Sequence, residues 1–332
     1  YHNHDFGSYW SMLSRYNSKN WGSSYVSSIP HYPGEDEKLR ASKFSHRRGG
    51  NCPNTLEVLG QLLQHGPPKD ECSLNLISVF PSHSSAALQQ IRSSFGNNVQ
   101  LDKCIFREQF SEPASSYIIA SQATGSRTIV NYNELPEMSY AEFKTAVEPL
   151  HSEAGRLWFH FEGRSPDVTL ECIGYIRMQF PAAKVSVEVE KPGRPGLQEL
   201  ACAADVVMYS KGWAQKHGYI SAEDCLRDQS LKTSRASLLC CTWGHEGAAA
   251  FEIKSGNFAH VPAHLEESGV SDTIGAGDTF NAGLLYGLIY RYQDWDFLKT
   301  LEFANLVAGL KVSQEGFQNL QRALSFPSYR IQ

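Results

Sequence analysis

The fold is indicated by one stretch, Ser271-Asp-Thr-Ile-Gly-Ala-Gly-Asp-Thr-Phe-Asn-Ala-Gly-Leu-Leu-Tyr-Gly-Leu-Ile-Tyr290. Gly275 and Gly277 predict a tight turn, because glycine adopts backbone angles that other residues avoid and lets a ligand approach the chain closely. The apolar residues after the turn repeat at helical spacing and predict a helix. These residues are Phe280, Leu284, Leu285, Leu288 and Ile289.

The predicted turn has the properties of an anion site. The first turn of a helix presents unpaired backbone N–H groups and the positive end of the helix dipole. We therefore expect Gly275, Ala276 and Gly277 to form an anion hole. Asp278 follows directly, where its carboxylate can take a proton from a hydroxyl group, and this combination suits phosphoryl transfer to an alcohol. The alternative is that Asp278 only complements the helix dipole.

Composition narrows the class of protein. The chain has 332 residues, of which 41% are hydrophobic and 20% charged, as in ordinary globular proteins. A net charge of -5 argues against nucleic-acid binding. Neither a membrane-spanning run nor a secretory leader is evident. The eight cysteines lack the spacing of a zinc site or a disulfide framework, so we expect no metal-ligating set and a reducing, cytoplasmic compartment.

A second constellation is Arg47-Arg-Gly-Gly-Asn-Cys-Pro-Asn54. Its glycines, Gly50 among them, bring the backbone close to a ligand, and the amides of Asn51 and Asn54 offer donors and acceptors that suit sugar hydroxyls. Pro53 fits the first turn of a helix that leucines continue. The alternative is a glycine turn with Asn51 as the helix cap.

The alternation of strands and helices after residue 70 predicts an α/β fold, a doubly wound and mostly parallel sheet flanked by helices. Short strands in close succession predict a small β-sheet lid, built from about residues 29–48 and 105–131. We expect one domain over residues 29–332. Residues 1–28 lack a clear period and are predicted to be an atypical, weakly ordered segment.

The run Asp272–Asn281 resembles the signature of ribokinase-like (PfkB) carbohydrate kinases. Within that family the chain is similar to the ketohexokinases from about Ile29 to Phe317. The segments that carry this similarity are Gly49–Asn54, Ala123–Val130, Phe159–Arg164, Val185–Pro192, Ser210-Lys211, Cys241–Gly247 and Val307–Gly309.

The resemblance implies ATP-dependent phosphorylation of a ketose, most typically fructose at its primary 1-hydroxyl. It implies Asp278 as the base and Gly50, Asn51 and Asn54 as sugar-binding residues. Mg²⁺ is expected to be held through nucleotide phosphates and water, without a protein cage.

For the nucleotide pocket the resemblance implies a lining by Thr242, Gly244, Glu246 and Gly247. By the same comparison Lys211 reaches the phosphates and Asn305 faces the adenine. The three polar side chains Lys211, Glu246 and Asn305 each have an alternative role. Lys211 is then a solvated surface lysine, Glu246 a turn carboxylate, and Asn305 an amide on a helix surface.

The resemblance also implies a homodimer, because the lids of this family pair across two chains and hide their sheet edges. Asp36 matches a lid-region carboxylate that reaches the partner's sugar site. Gln122 stands where ketohexokinases tend to carry Arg, so the sugar preference is expected to differ.

The N-terminus departs from the family pattern, in which an apolar central strand ends in an Asp that holds sugar hydroxyls. Counting back from His31, this Asp should fall at Ser24. We therefore expect residues 1–26 to pack poorly and the central sheet to lack one strand. This leaves two alternatives to an active ketose kinase: an impaired or non-catalytic sugar- or nucleotide-binding relative, and a kinase of another sugar or a nucleoside.

Overall fold

The computed structural model of the protein describes residues 10–15, 23–66, 72–95, 98–124, 126–152 and 156–329. Over these residues the main sheet has nine strands in the order β15-β14-β13-β12-β11-β10-β1-β4-β6. From β6 to β13 all neighbours are parallel, and β14 and β15 are antiparallel. The strands are Trp10–Arg15 (β1), Cys72–Ile77 (β4), Val99–Gln100 (β6), Arg156–Glu162 (β10), Lys184–Val189 (β11), Val206–Ser210 (β12), Leu238–Thr242 (β13), Ala248–Glu252 (β14) and Asn257–Val261 (β15).

Helices cover both faces of the main sheet. Successive side chains of β13 point to opposite faces, so Leu238 and Cys240 enter one core and Leu239 and Cys241 the other. No helix in the described ranges is long and apolar enough to cross a membrane. The α-helices are Asn51–His65 (α1), Ala86–Phe95 (α2), Tyr140–Val147 (α3), Pro166–Gln179 (α4), Leu197–Ala203 (α5), Lys211–Lys216 (α6), Ala222–Lys232 (α7), Ala276–Leu285 (α8) and Phe297–Val312 (α9).

The first core lies under α1, α2, α8 and α9 and the second under α3 to α7. Shorter helical turns follow some of these helices. They are 3₁₀ turns at Glu148–Ser152, Gly244–Glu246 and Leu320–Ser325, and a π turn at Tyr286–Tyr290 that extends α8. The expected doubly wound α/β fold is confirmed.

A separate four-stranded sheet forms the lid, in the order β3-β2-β8-β9. Its strands are Ser23–Ile29 (β2), Lys43–Arg48 (β3), Ser115–Ser121 (β8) and Arg127–Tyr132 (β9). The prediction that residues 105–114 belong to the lid is wrong. Ile105–Arg107 (β7) pairs with Val79–Pro81 (β5) in a two-stranded sheet, because a short strand pattern does not specify its partner.

The prediction that the central sheet lacks a strand is also wrong. Trp10–Arg15 lies between β10 and β4 and pairs with both in parallel. A strand with two backbone neighbours can hold a central position without a continuous apolar run, since its N–H and C=O groups are paired on both sides. Ser24 is not at the end of that strand but on β2 in the lid, opposite Arg47. The remainder of the predicted weakly ordered segment, residues 1–9 and 16–22, lies outside the described residues.

Candidate active site

A cleft of about 850 Å³ opens between the lid and the main sheet. It lies at the carboxyl ends of the parallel strands, which is where open α/β sheets bind their ligands. The start of α1, the start of α8 and the inner face of the lid meet there. The cleft lining includes Gly50, Asn51 and Asn54 from the predicted sugar motif, Gly275–Asp278 from the predicted anion turn, and Ser24, Arg47, Arg127 and Asn131 from the lid.

The anion turn is built as the glycine pattern predicts. Gly275 precedes α8 with φ 76°, a left-handed angle that glycine adopts at little cost. A Cβ atom at this position would lie 2.3 Å from Cζ of Phe317, so the turn is also packed too tightly for a side chain.

The backbone donors of the turn are not all equivalent. The N–H of Ala276 donates to the carbonyl of Thr273 at 3.3 Å. Within the described part of the chain, the N–H groups of Gly275 and Gly277 have no such acceptor. Two of the three predicted anion-hole donors are therefore available to a ligand, and the third, the N–H of Ala276, is engaged in a long hydrogen bond within the turn.

Asp278 lies in the first turn of α8 and is only 8% exposed. Asn54 donates from Nδ2 to its Oδ2 at 2.7 Å, which fixes the carboxylate toward the sugar motif. Burial raises the pKa of Asp278 well above its ordinary value, and the negative charges of Glu188 and Glu190 raise it further. A base with a raised pKa accepts a proton more readily than an ordinary aspartate.

Three more carboxylates, Glu162, Glu188 and Glu190, raise the pKa of Asp278 through their negative charge, and we call the four residues together the acidic floor. Glu188 Oε1 is 2.9 Å from Nε2 of the buried His160. Glu190 accepts a hydrogen bond from Asn51 Nδ2 at 3.0 Å. Burial raises the pKa of Glu162 to about 7, although Arg164 opposes the shift.

A group of cations contacts the residues that precede the anion turn in sequence: Arg47, Arg127 and Lys311, which we call the basic side. Arg47 and Lys311 both donate to Oδ2 of Asp272, at 2.5 and 3.0 Å. Arg127 donates to Oγ1 of the next residue, Thr273, at 3.0 Å. The two residues that lead into the anion turn are thus tied to cations from the lid and from α9.

A second, mostly apolar pocket of about 300 Å³ adjoins the cleft. Thr242, Gly244, Gly247 and Asn305, all predicted to bind nucleotide, line it. Asn305 is buried and donates to the carbonyl of Leu301, which excludes its alternative role as a surface amide. The residues that line both cavities are Thr242, Thr273, Ala276, Gly277 and Phe280, so the anion turn separates the two.

Four predicted site residues lie outside both cavities. Lys211 and Glu246 form an ion pair with each other at 3.3 Å. Gln122 is exposed and donates to Ser42 Oγ at 2.8 Å. Asp36 is exposed in the loop before β3, with φ 61°. Their roles toward nucleotide, sugar and partner stay predictions.

Several residues at the site were missed from the sequence. The three glutamates of the acidic floor lie at the end of β10 and at or just after the end of β11, in segments that were noted only for their resemblance to a family. Lys311 is the charged residue in the otherwise apolar run from Leu306 to Val312. It follows Ala304 and Val307 at helical spacing, so a charge on the buried stripe of α9 was the signal that could have found it.

The fold, the anion turn and the buried carboxylate define a small-molecule kinase that transfers a phosphoryl group to an alcohol. Residues 22–323 match the family described as pfkB family carbohydrate kinase. The chain therefore belongs to the pfkB family, and it is an ATP-dependent carbohydrate kinase.

Individual relatives agree with this assignment. Ketohexokinase from Mus musculus is 30% identical over 302 residues, which cover 89% of this chain and 94% of the mouse protein. Ribokinase from Giardia lamblia has a TM-score of 0.73 at 15% identity, covering 96% of this chain and 99% of its own. Arabidopsis thaliana ribokinase, solved with ribose and ATP, has a TM-score of 0.70 at 16% identity, and the match covers 95% of this chain and 98% of the Arabidopsis chain. The two ribokinases are similar in fold.

Proposed function

We propose that this kinase transfers the γ-phosphoryl group of ATP to the primary 1-hydroxyl of a ketose, with fructose as the leading candidate. The observation that carries the proposal is the position of the anion turn between the cleft and the second pocket. ATP in the second pocket would place its terminal phosphate at the turn, and a sugar in the cleft would place its hydroxyl at Asp278. The similarity to mouse ketohexokinase over most of both chains supports a ketose as acceptor.

In this mechanism Asp278 accepts the proton of the attacking hydroxyl. Its raised pKa keeps it a competent base, and Asn54 holds its orientation through the 2.7 Å hydrogen bond. The N–H groups of Gly275 and Gly277 stabilise the negative charge that spreads over the transferred phosphoryl oxygens. Asn51 and Asn54 position the sugar, and burial beneath the lid limits access of water to the phosphoryl group.

Mg²⁺ fits the same arrangement. It prefers oxygen ligands and is usually bound through nucleotide phosphates, water and one or two carboxylates. Glu188 and Glu190 line the cleft and are the residues that would hold the hydrated ion. When bound, it neutralises charge on the phosphates.

A coupled ADP-release assay over a sugar panel tests the proposal. The panel contains fructose, other ketoses, ribose, an aldohexose and adenosine, each with Mg²⁺ or with chelator, and Asp278→Asn is the control. We expect the highest kcat/KM for a ketose and a phosphate on C1 in the product by NMR. Higher kcat/KM for ribose or adenosine would contradict the ketose assignment while leaving the kinase chemistry intact.

A second candidate, an impaired relative that binds sugar or nucleotide without efficient turnover, is favoured by one observation. Residues 6–34 contain no Asp or Glu, so β1 and the segment after it supply no carboxylate for the sugar. Sugar binding by calorimetry together with no ADP release from any panel member would establish this second candidate in place of the first.

We further propose a homodimer through the outer face of the lid. Tyr25 stacks on Tyr117 with ring centroids 5.2 Å apart, and this face leaves Phe44 62% and Tyr117 48% exposed. A second copy would cover these rings and bring Asp36 to its partner's cleft. Light scattering at micromolar concentration should show a dimer for the parent and a monomer for Phe44→Glu. A monomeric parent would contradict the proposal.

We also propose that the enzyme is cytoplasmic, where buried thiols such as Cys240 stay reduced.

A further inference from the structure

The most unusual charge in the described part of the chain is the ammonium group of Lys311. Its side chain is 0% exposed, although lysine is almost never fully buried unless it is paired. Nζ lies 3.0 Å from the backbone oxygen of Asp272, 3.0 Å from its Oδ2 and 3.4 Å from the carbonyl oxygen of Gln314. Three oxygens therefore surround the ammonium group, and it also lies 5.4 Å from the ring centre of Phe317.

Asp272 receives more than this one cation. Its Oδ1 accepts the N–H of Ile274 at 3.0 Å, and its Oδ2 accepts Arg47 at 2.5 Å. The N–H of Asp272 itself donates to the carbonyl of Val312 at 3.1 Å. Although burial alone would raise the pKa of Asp272, these donors hold it below its usual value. The residue is thus a charged junction between α9, the lid and the anion turn.

The junction lies beside the packed base of the turn. Phe317, which faces the ammonium group, is the same ring that leaves no room for a Cβ at Gly275. Arg127 adds a second connection from the lid by donating to Thr273 at 3.0 Å. The path from Lys311 to the anion turn therefore runs both through the backbone of Asp272–Gly275 and through the Phe317 ring.

We propose that Lys311 is a positioning residue for phosphoryl transfer. It holds the carboxylate of Asp272 in one position, and both the backbone that leads into the anion turn and Arg47 of the lid are hydrogen-bonded to that carboxylate. The proposal rests on the assignment of the turn as the phosphoryl site. The ammonium acts as a tethered cation within an oxygen cage, and it does not touch the substrate. Such preorganisation matters because donors that are fixed before the reaction stabilise developing charge without reorganising.

Lys311→Met and Lys311→Ala test this role, with Lys299→Ala as the control on the same helix. Lys299 lies near Trp295 and away from Asp272. We expect kcat at saturating ATP and sugar to fall by roughly tenfold to a hundredfold in both Lys311 variants, as for a small misplacement of a reacting group. The sugar KM should change much less, and Lys299→Ala should match the parent.

Chemical rescue separates positioning from general structural damage. Ammonium or ethylammonium should restore a saturable part of kcat to Lys311→Ala, because a small N–H donor can re-enter the oxygen cage. Tetramethylammonium at equal ionic strength should not, since it carries the charge without a donor. Loss of kcat without amine rescue, or parent kcat in a folded Lys311→Met, overturns the proposal.

A second measurement does not depend on sugar turnover. If the turn binds phosphate, Lys311→Met should weaken binding of a non-hydrolysable ATP analogue in calorimetry and leave adenosine affinity unchanged. A parent without turnover on any sugar would refute the proposed function, yet this binding difference would still support the positioning role.

If the Lys311 variants do not fold, Arg47→Gln takes their place, because this change removes a hydrogen bond to the same Asp272 carboxylate from the lid. Unchanged analogue affinity and unchanged kcat in Arg47→Gln would overturn the proposal.

Discussion

The anion turn is flanked in sequence by two aspartates, Asp272 and Asp278, whose surroundings carry opposite charge. On the acidic floor, Glu188 and Glu190 raise the pKa of Asp278 after burial has already raised it. On the basic side, burial would raise the pKa of Asp272, but the N–H of Ile274 together with Arg47 and Lys311 lowers it below its usual value. Two aspartates six positions apart in sequence are thus driven in opposite directions by their surroundings.

Under the proposed mechanism, this difference lets one short stretch supply both a base and a rigid support. A carboxylate among carboxylates gains by taking up a proton, which is what a general base must do. A carboxylate among cations remains charged and fixed in place, which is what a structural junction must do. Single substitutions can therefore change the surroundings of one aspartate at a time.

The largest effect is expected from Asp278→Asn, which removes the base from the acidic floor. Loss of a general base typically costs about 10²–10⁴-fold in rate, so kcat should fall by that order while nucleotide affinity persists. Steady-state kinetics and calorimetry measure the two quantities. The partly exposed Asp228→Asn on α7 is the control, and equal turnover of Asp278→Asn and the parent would refute the assignment.

Gly275→Ala alters the turn between the two aspartates. A left-handed angle costs a non-glycine residue roughly 1–2 kcal/mol, and the new Cβ would collide with Phe317. We expect a lower melting temperature and a kcat reduced by roughly tenfold or more.

Gly277→Ala is the matched variant, because a Cβ there would meet no heavy atom of the described chain within 4 Å. It should keep the parent melting temperature and lose rate only where a ligand approaches the backbone. A melting temperature that falls equally in both variants would contradict the role assigned to Phe317.

Glu162→Gln tests how the acidic floor affects stability. The pKa of Glu162 is raised from 4.5 in the unfolded chain to about 7 in the folded one. Its contribution to stability is therefore fully present below pH 4.5 and is lost as the pH rises through about 7. Glutamine cannot titrate, so the variant should gain on the parent between pH 5 and pH 8, by roughly 3 kcal/mol at most.

Denaturant titrations at several pH values measure this gain. A pH-independent difference between Glu162→Gln and the parent would show that Glu162 does not titrate in this range.

The smallest effect is expected from Glu188→Gln, which removes one negative charge near Asp278 and keeps an acceptor for His160. The pKa of Asp278 should fall, although burial still holds it above the ordinary value. The acid limb of the kcat/KM profile, which reports the free enzyme, should therefore move to lower pH. Glu190→Gln should move it less, since Glu190 contributes less to the shift; an unmoved or rising limb would contradict this electrostatic account.

Local sequence was sufficient where the structure depends on neighbouring residues. The anion turn and α8 follow from two glycines and an apolar stripe, and α1 from the Gly50–Asn54 motif. The helix Tyr140–Val147 likewise begins at a capping box formed by Ser139 and Glu142, which is a local signal. The N-terminal strand was missed because its central position depends on two neighbours that follow it much later in the chain.

By itself, the sequence determined the doubly wound class, the anion turn, the base candidate and the paired asparagines, because backbone angles and periodicity are local properties. Only the tertiary structure decided which charges surround each aspartate. Arg47 and Asp272 are 225 positions apart, and Lys311 is 39 positions from Asp272. No sequence spacing predicts contacts between residues at such separations. They meet because the lid, α9 and the anion turn pack around one point. Burial at that point determines how strongly each charge shifts the pKa values of its neighbours.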